Sequence, residues 1–110
     1  MSHERIDDEL IPVRLRGCVF AWAENWPVVV TMRDSDDVYL PLFSTLDALW
    51  EMLDASQVTF ETVKQIANPG EFMDSLPHML GPTRLRVILD PHFTEQGHMR
   101  YAEIVRETIN

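Results

Sequence analysis

The chain has 110 residues, of which 45% are apolar, and it carries a formal net charge of −9. A chain of this length makes one domain and buries roughly two-thirds of its unfolded surface, so a stable core needs neither a disulfide nor a metal. Its acidic surface repels phosphate groups and anionic lipids, which argues against nucleic acid and membranes as partners.

The first ten residues, MSHERIDDEL, are polar and acidic and lack the apolar core of a secretory signal. We expect residues 1–10 to form a flexible acidic segment, followed by a single domain over residues 11–110. Cys18 is the only cysteine, so no disulfide can form within the chain. There is also no apolar run of the roughly 20 residues that a spanning helix needs, and we therefore expect a cytoplasmic protein.

Three extended segments are predicted in the first part of the chain. Apolar and polar residues alternate from Ile11 to Trp22, with an interruption at Gly17, and two apolar runs follow at Val28–Met32 and Val38–Phe43. The short polar links between them predict an antiparallel meander. Because Pro41 has no amide hydrogen to donate, we expect the third strand to lie at a sheet edge or to be irregular there.

A capped amphipathic helix is predicted from Ser44 to Ala55. Ser44 precedes Asp47 by three residues, which is the spacing of a capping box. Apolar residues recur at helical spacing and define the predicted core face, namely Leu46, Leu49, Trp50 and Leu53. Three acids lie off that face and are called the acidic ridge: Asp47, Glu51 and Asp54.

The second half of the chain is predicted to add three strands and a second helix. Residues 58–67 fit a strand, although their apolar spacing also fits a helix. Asn68 is the expected N-cap of the second helix, which Pro77 should end or kink. Residues 84–90 alternate as a strand that the Asp-Pro-His sequence should break, and residues 98–107 fit a last strand, with a helix as the alternative.

Together these elements predict an α+β domain with a mainly antiparallel sheet of about five or six strands and two helices packed on one face. The segment VYLPLFSTLDALWEML resembles the passage of SseB-like domains in which a strand, a proline and a Phe-Ser/Thr pair lead into a helix. Asn68-Pro69-Gly70 resembles the Asn-Pro element that follows in that family, so the resemblance covers about residues 38–70. It implies a small α/β domain with a binding or accessory role, and it transfers no active site.

The sequence contains two candidate reactive sites. Asp90, His92 and His98 form a D-x-H-x5-H pattern whose ligand types suit zinc, although the spacing matches no strong template. The alternative is two exposed histidines that follow the end of a strand. Cys18 lies among strand-forming apolar residues, where a lone cysteine is usually a small core residue and not a nucleophile. No phosphate-binding glycine loop or serine-hydrolase elbow occurs.

Charge and aromatic residues point instead to protein contacts. Seven acids and no Lys or Arg lie between Asp34 and Val63. Trp26, in a predicted turn before Pro27, is expected to be exposed as an interface anchor, whereas Trp22 and Trp50 are expected in the core. We interpret the chain as a non-enzymatic interaction or accessory domain without catalytic, metal-binding or cofactor-binding residues. Its predicted contact surface consists of Trp26, Asp47, Glu51 and Asp54.

The expected partner is another protein or a second copy of the chain in a homodimer. Two alternative functions stay open. An immunity-type or inhibitor-type protein would neutralise a basic partner, and it requires the acids to lie on one contiguous face. A metal-dependent enzyme would require Asp90, His92 and His98 to converge.

Overall fold

The computed structural model describes residues 4–7, 9–31, 37–80 and 85–104. Within these residues the chain forms a five-stranded sheet of order β1-β8-β7-β5-β4 and a three-stranded sheet of order β3-β2-β6. The elements in chain order are β1 (Glu4–Ile6), α1 (Ile11–Arg14), β2 (Val19–Ala23), β3 (Trp26–Pro27), β4 (Val30–Thr31), β5 (Val38–Leu42), α2 (Leu46–Ser56), β6 (Thr62–Gln65), α3 (Pro69–Leu80), β7 (Leu85–Phe93) and β8 (Met99–Ile104).

The prediction of an α+β fold is confirmed, but its finer description fits only in part. The three-stranded sheet is antiparallel, whereas the five-stranded sheet is mixed. In the mixed sheet β5 pairs in parallel with β7 and β1 with β8, while its other two pairs are antiparallel. The parallel pair arises because a long connection that contains α2 and α3 links β5 to β7, as parallel pairing requires.

Two hydrophobic cores lie on either side of β2. Cys18, just before the strand, and Phe20 contribute to the first core, together with residues of α1, α3 and the five-stranded sheet. Val19 and Ala21 point the other way, because side chains alternate along a strand, and they join Phe43 and two leucines of α2 in the second core. The helices therefore serve different cores, and the expected packing of both predicted helices on one face does not hold.

The N-terminal part of the chain differs from the prediction. Glu4–Ile6 pair with β8 and Ile6 is fully buried, so these residues belong to the sheet and not to a flexible segment. Ile11–Arg14 form a short helix instead of a strand, with Pro12 in the first turn, where its missing amide hydrogen is tolerated. The alternation of apolar residues in this region was too short to distinguish a helix from a strand.

The turn predicted at Asn25–Pro27 occurs one residue earlier. Glu24 and Asn25 connect β2 to β3 and both have positive φ, 53° and 71°, as in a type I′ hairpin turn. Trp26 and Pro27 consequently pair with β2 as β3, and Trp26 is 46% exposed, as expected for this residue.

The position of β5 corrects the prediction for Pro41. The strand lies between β7 and β4 in the sheet, so it is not an edge strand. However, β4 pairs only with Val38 and Tyr39, and among the described strands Pro41 has a partner only in β7. A proline is compatible with this position because no ladder to a second strand runs past it.

The N-cap of helix α2 lies one residue later than predicted, and the buried face of the helix is narrower than predicted. Its N-cap is Thr45, whose Oγ1 accepts a hydrogen bond of 3.1 Å from the amide of Ala48. Leu49 is fully buried, but Trp50 is 45% exposed and packs beside Phe60, so the prediction of a core Trp50 is wrong. The small second core accepts only a narrow apolar stripe of the helix, and Leu46 is also half exposed.

The other predicted elements of the second half are confirmed with one correction. The Asn68 side chain accepts a hydrogen bond of 3.1 Å from the Glu71 amide, as predicted for the N-cap of α3. Pro77 does not end this helix, which continues to Leu80. The strand interpretation is correct for both β6 and β8. Predictions for residues 32–36, 81–84 and 105–110 lie outside the described residues.

Candidate functional site

The Asp-Pro-His sequence forms a β-bulge and does not break β7. Leu89 lies opposite Ala102 and His92 lies opposite Arg100, so two residues of β7, Asp90 and Pro91, face a single residue of β8. Asp90 has a φ of 52°, a left-handed conformation that Asp adopts more readily than most residues. Bulges redirect the side chains around them, and here the carboxylate of Asp90 is aimed at the start of α2.

Asp90 holds the connection between β5 and α2. The amide of Ser44 donates to Oδ1 of Asp90 at 2.8 Å, and the Ser44 hydroxyl donates to Oδ2 at 2.6 Å. Both oxygens of the carboxylate therefore have a partner 46 residues away in sequence. This also explains why Ser44 is not the N-cap of α2, because its hydroxyl is used in the bond to Asp90.

The three predicted metal ligands do not converge. Both Asp90 oxygens are directed at Ser44, and His92 Nδ1 forms a 3.0 Å hydrogen bond with the backbone oxygen of Asp90. No group of three His, Cys, Asp or Glu side chains suited to a metal ion occurs among the described residues, which include all three predicted ligands. The described geometry gives no support to a metal site at Asp90, His92 and His98, and the metal-dependent enzyme stays a prediction from the sequence.

Cys18 is a core thiol, as the sequence indicates. It is 2% exposed, and its Sγ donates to the backbone oxygen of Arg14 at 3.2 Å. Burial raises the pKa of the Cys18 thiol, and the negative charge of Asp90 raises it further, while Arg14 acts in the opposite direction. A thiol that stays protonated is a poor nucleophile.

Cys18 is accordingly expected to alkylate at least about a hundredfold more slowly in the native protein than after unfolding in urea, because only the exposed thiolate reacts. The measurement is iodoacetamide incorporation at pH 8, followed by mass spectrometry. A Cys18→Ala/Thr62→Cys variant carries one thiol on the exposed strand β6 and supplies the accessible reference. Equal native rates for Cys18 and the reference thiol would contradict the buried assignment.

An apolar cleft of about 480 Å³ opens between the two sheets beside α2. The five-stranded sheet contributes Val30 and Ile88, the three-stranded sheet contributes Ala21, and α2 contributes Met52. Phe93, at the end of β7, also lines the cleft although it is 54% exposed. An apolar cavity of this size that is open to solvent is a typical binding pocket.

A second pocket of about 490 Å³ adjoins the cleft. Met52, Pro91 and Phe93 line both cavities, so the two lie on either side of these residues. The acids lie only on this second side, where Glu51 of the acidic ridge and Asp90 line the pocket, whereas the polar residues of the first cleft are the uncharged Thr31 and Ser56. Neither pocket is lined by a Lys or Arg among the described residues.

The structure separates the residues of the predicted contact surface. Asp47, Glu51 and Asp54 are exposed on one side of α2, and Glu51 borders the paired pockets. Trp26 lies at the edge of the three-stranded sheet and lines neither pocket. The sequence analysis missed Met52 and Phe93. The only signal for Met52 was an apolar residue of the predicted helix outside its core face, and for Phe93 an apolar residue just after a predicted strand.

The other two described acids between Asp34 and Val63, Asp37 and Glu61, have partners outside α2. Asp37 is 3.6 Å from the guanidinium of Arg86, which also donates to Glu103 and to the Tyr39 hydroxyl on the five-stranded sheet. Glu61 accepts a hydrogen bond from the Glu24 amide at the hairpin of the other sheet. Among the described acids between Asp34 and Val63, these two therefore have partners on the sheets, whereas the three ridge acids are exposed on α2.

No protein-family model matches the chain, and searches of curated proteins and of solved structures give no match either. The resemblance to SseB-like domains stays a prediction. In the described part of the chain, every helix is too short or too polar to cross a bilayer.

Proposed function

We propose that this protein is a non-enzymatic protein-interaction domain whose contact surface is the apolar cleft together with the acidic ridge of α2. The observation that carries this proposal is that the cleft adjoins the pocket lined by Glu51 and shares Met52, Pro91 and Phe93 with it. An apolar centre beside a charged rim is the usual composition of a protein interface. Met52 and Phe93 form the boundary between the two parts, and Met and aromatic residues are enriched at such surfaces.

The polar groups near the cleft also support a non-enzymatic role. The Ser44 hydroxyl is bonded to a carboxylate whose other oxygen holds the Ser44 amide, and Cys18 is buried with a raised pKa. Nucleophilic catalysis requires a nucleophile paired with an oriented base, and the imidazole of His92 is bonded to the backbone. Cytoplasmic residence belongs to the same proposal and is supported by the single cysteine, which has no partner for a disulfide within the chain.

Neutralisation of a basic partner, as immunity-type proteins do, is the less supported function. It requires many acids on one face. Among the described acids between Asp34 and Val63, only the three acids of the ridge lie side by side. The cleft has no part in that mechanism.

Charge reversal on the ridge tests the proposal. The variant Glu51→Lys/Asp54→Lys is expected to reduce capture of the main partners from lysate about tenfold, because rim charges steer and hold an oppositely charged partner. Asp47 is left unchanged because it lies in the first turn of α2, where an acid stabilises the helix dipole. The measurement is quantitative mass spectrometry, with isotope labels, of the proteins bound to the immobilised domain.

The variant Glu9→Lys/Glu24→Lys is the matched control, because it changes the net charge equally at two exposed sites outside α2. Its capture pattern is expected to equal that of the unmodified protein. Equal losses for both variants would assign the effect to overall charge. Unchanged capture by the ridge variant would remove the ridge from the contact surface.

A further inference from the structure

We infer that the apolar cleft binds side chains presented by a basic amphipathic segment of the partner protein. This inference rests on the proposed function and names the chemistry of the partner. Its basis is the combination of an apolar cleft lined by Ile88 and Met52 with an adjoining pocket that shares Met52 and is also lined by Glu51.

The charges around the cavity select a cationic occupant. Asp90 already receives two hydrogen bonds from Ser44, so Glu51 is the carboxylate available to a ligand in the second pocket. Asp47 and Asp54 lie four and three residues from Glu51 and therefore flank it on the same side of α2. An anionic amphiphile such as a fatty acid would place its carboxylate beside these acids, with no Lys or Arg among the described lining residues to compensate it.

The arrangement of the two adjoining pockets favours a peptide segment. They share Met52 and Phe93, so an occupant that reaches both meets apolar side chains in the cleft and Glu51 in the second pocket over a short distance. An amphipathic peptide meets this requirement, because residues three or four apart lie next to each other on a helix. Met52 and Met99 both line the cleft, and flexible Met side chains adapt to different apolar residues. The cleft should therefore select the pattern of apolar and basic residues and not one particular sequence.

The direct probe is a fluorescein-labelled 14-residue peptide of Leu and Lys in a helical amphipathic pattern, with binding followed by fluorescence anisotropy. We expect it to bind about tenfold more tightly than a peptide in which Glu replaces every Lys. We also expect it to bind about tenfold more tightly than a scrambled Leu/Lys peptide that has no apolar face. Equal binding of the amphipathic and scrambled peptides would reduce the effect to net charge and overturn the inference.

The variant Ser56→Trp places a large side chain in the cleft from an exposed position at the end of α2. It is expected to weaken binding of the Leu/Lys peptide about thirtyfold, which is the size of effect found when a central anchor of an interface is lost. The control is Thr62→Trp, a substitution on β6 at an exposed residue that lines neither pocket, and it should leave binding unchanged. Unchanged binding by Ser56→Trp would overturn the inference.

The outcomes separate this inference from the proposed function. One outcome is that Ser56→Trp leaves binding of the Leu/Lys peptide unchanged while the ridge variant captures less protein from lysate. The inferred occupant of the cleft is then wrong, and the proposed interaction surface stands. If both variants capture the same proteins as the unmodified chain, the proposed function fails. If the neutral dye N-phenyl-1-naphthylamine fills the cleft and the Leu/Lys peptide does not displace it, the cleft is a small-molecule site and the inference is overturned.

Discussion

Replacement of Phe43 by Ala is expected to lower the free energy of unfolding by about 3–5 kcal/mol, the usual loss for a buried Phe. Phe43 is only 1% exposed and belongs to the second core. Its backbone also joins β5 to β2 through two hydrogen bonds with Val19, of 2.8 and 2.9 Å. The cavity left by the ring would therefore lie where the two sheets meet. Urea denaturation followed by circular dichroism gives the measurement.

Phe93→Ala is the matched control because it deletes the same side chain from an exposed position that lines both pockets. It is expected to cost less than about 1 kcal/mol of stability, as for most surface substitutions. Its effect should appear instead as weaker binding of the Leu/Lys peptide. Equal destabilisation of the two variants would contradict the placement of the Phe43 ring in the second core.

Asp90→Ala is expected to have the second largest effect, a loss of about 2–3 kcal/mol in the free energy of unfolding. The substitution removes the charged acceptor of two hydrogen bonds from Ser44, and it places Ala at a φ of 52°. The start of α2 would lose its attachment to β7. Thermal and urea unfolding both measure this loss.

Two further substitutions at this position separate the causes. Asp90→Gly loses the same hydrogen bonds but accepts the positive φ, so its loss should be about 1 kcal/mol smaller than that of Asp90→Ala. Asp90→Asn keeps an acceptor for the Ser44 amide and tolerates the left-handed conformation, so its loss should be the smallest of the three. An Asn variant as unstable as the Ala variant would show that the negative charge, and not the geometry, holds Ser44.

Local patterns in the sequence predicted several elements of the fold, because their causes lie within a few residues. The capping of α3 by Asn68 and the apolar run of β5 are two examples. The parallel pairing of β5 with β7 was not predictable in this way, because it depends on a connection that spans two helices. β1 was missed since three residues give too short a pattern to read, and its role depends entirely on its partner β8.

The candidate site was predictable to a smaller extent. Helical spacing correctly grouped the acidic ridge on one side of α2, because that spacing is fixed by helix geometry. The cleft beside it is assembled from ordinary apolar residues of both sheets and α2, none of which is distinctive in sequence. Ser44 and Asp90 were each singled out, one as a cap and the other as a metal ligand, but their pairing depends on a contact across 46 residues.

The position of β2 between the two cores links their stabilities. Cys18 and Phe20 belong to one core, and Val19 and Ala21 to the other, so displacement of this strand would expose apolar surface on both sides at once. A shift of one residue in its pairing would also exchange the side chains of the two cores. Ala21 of this strand lines the cleft. Local opening of the cleft wall at β2 would therefore expose apolar surface of both cores. Such a wall is rigid before any ligand arrives, so little of the binding free energy is spent on ordering it.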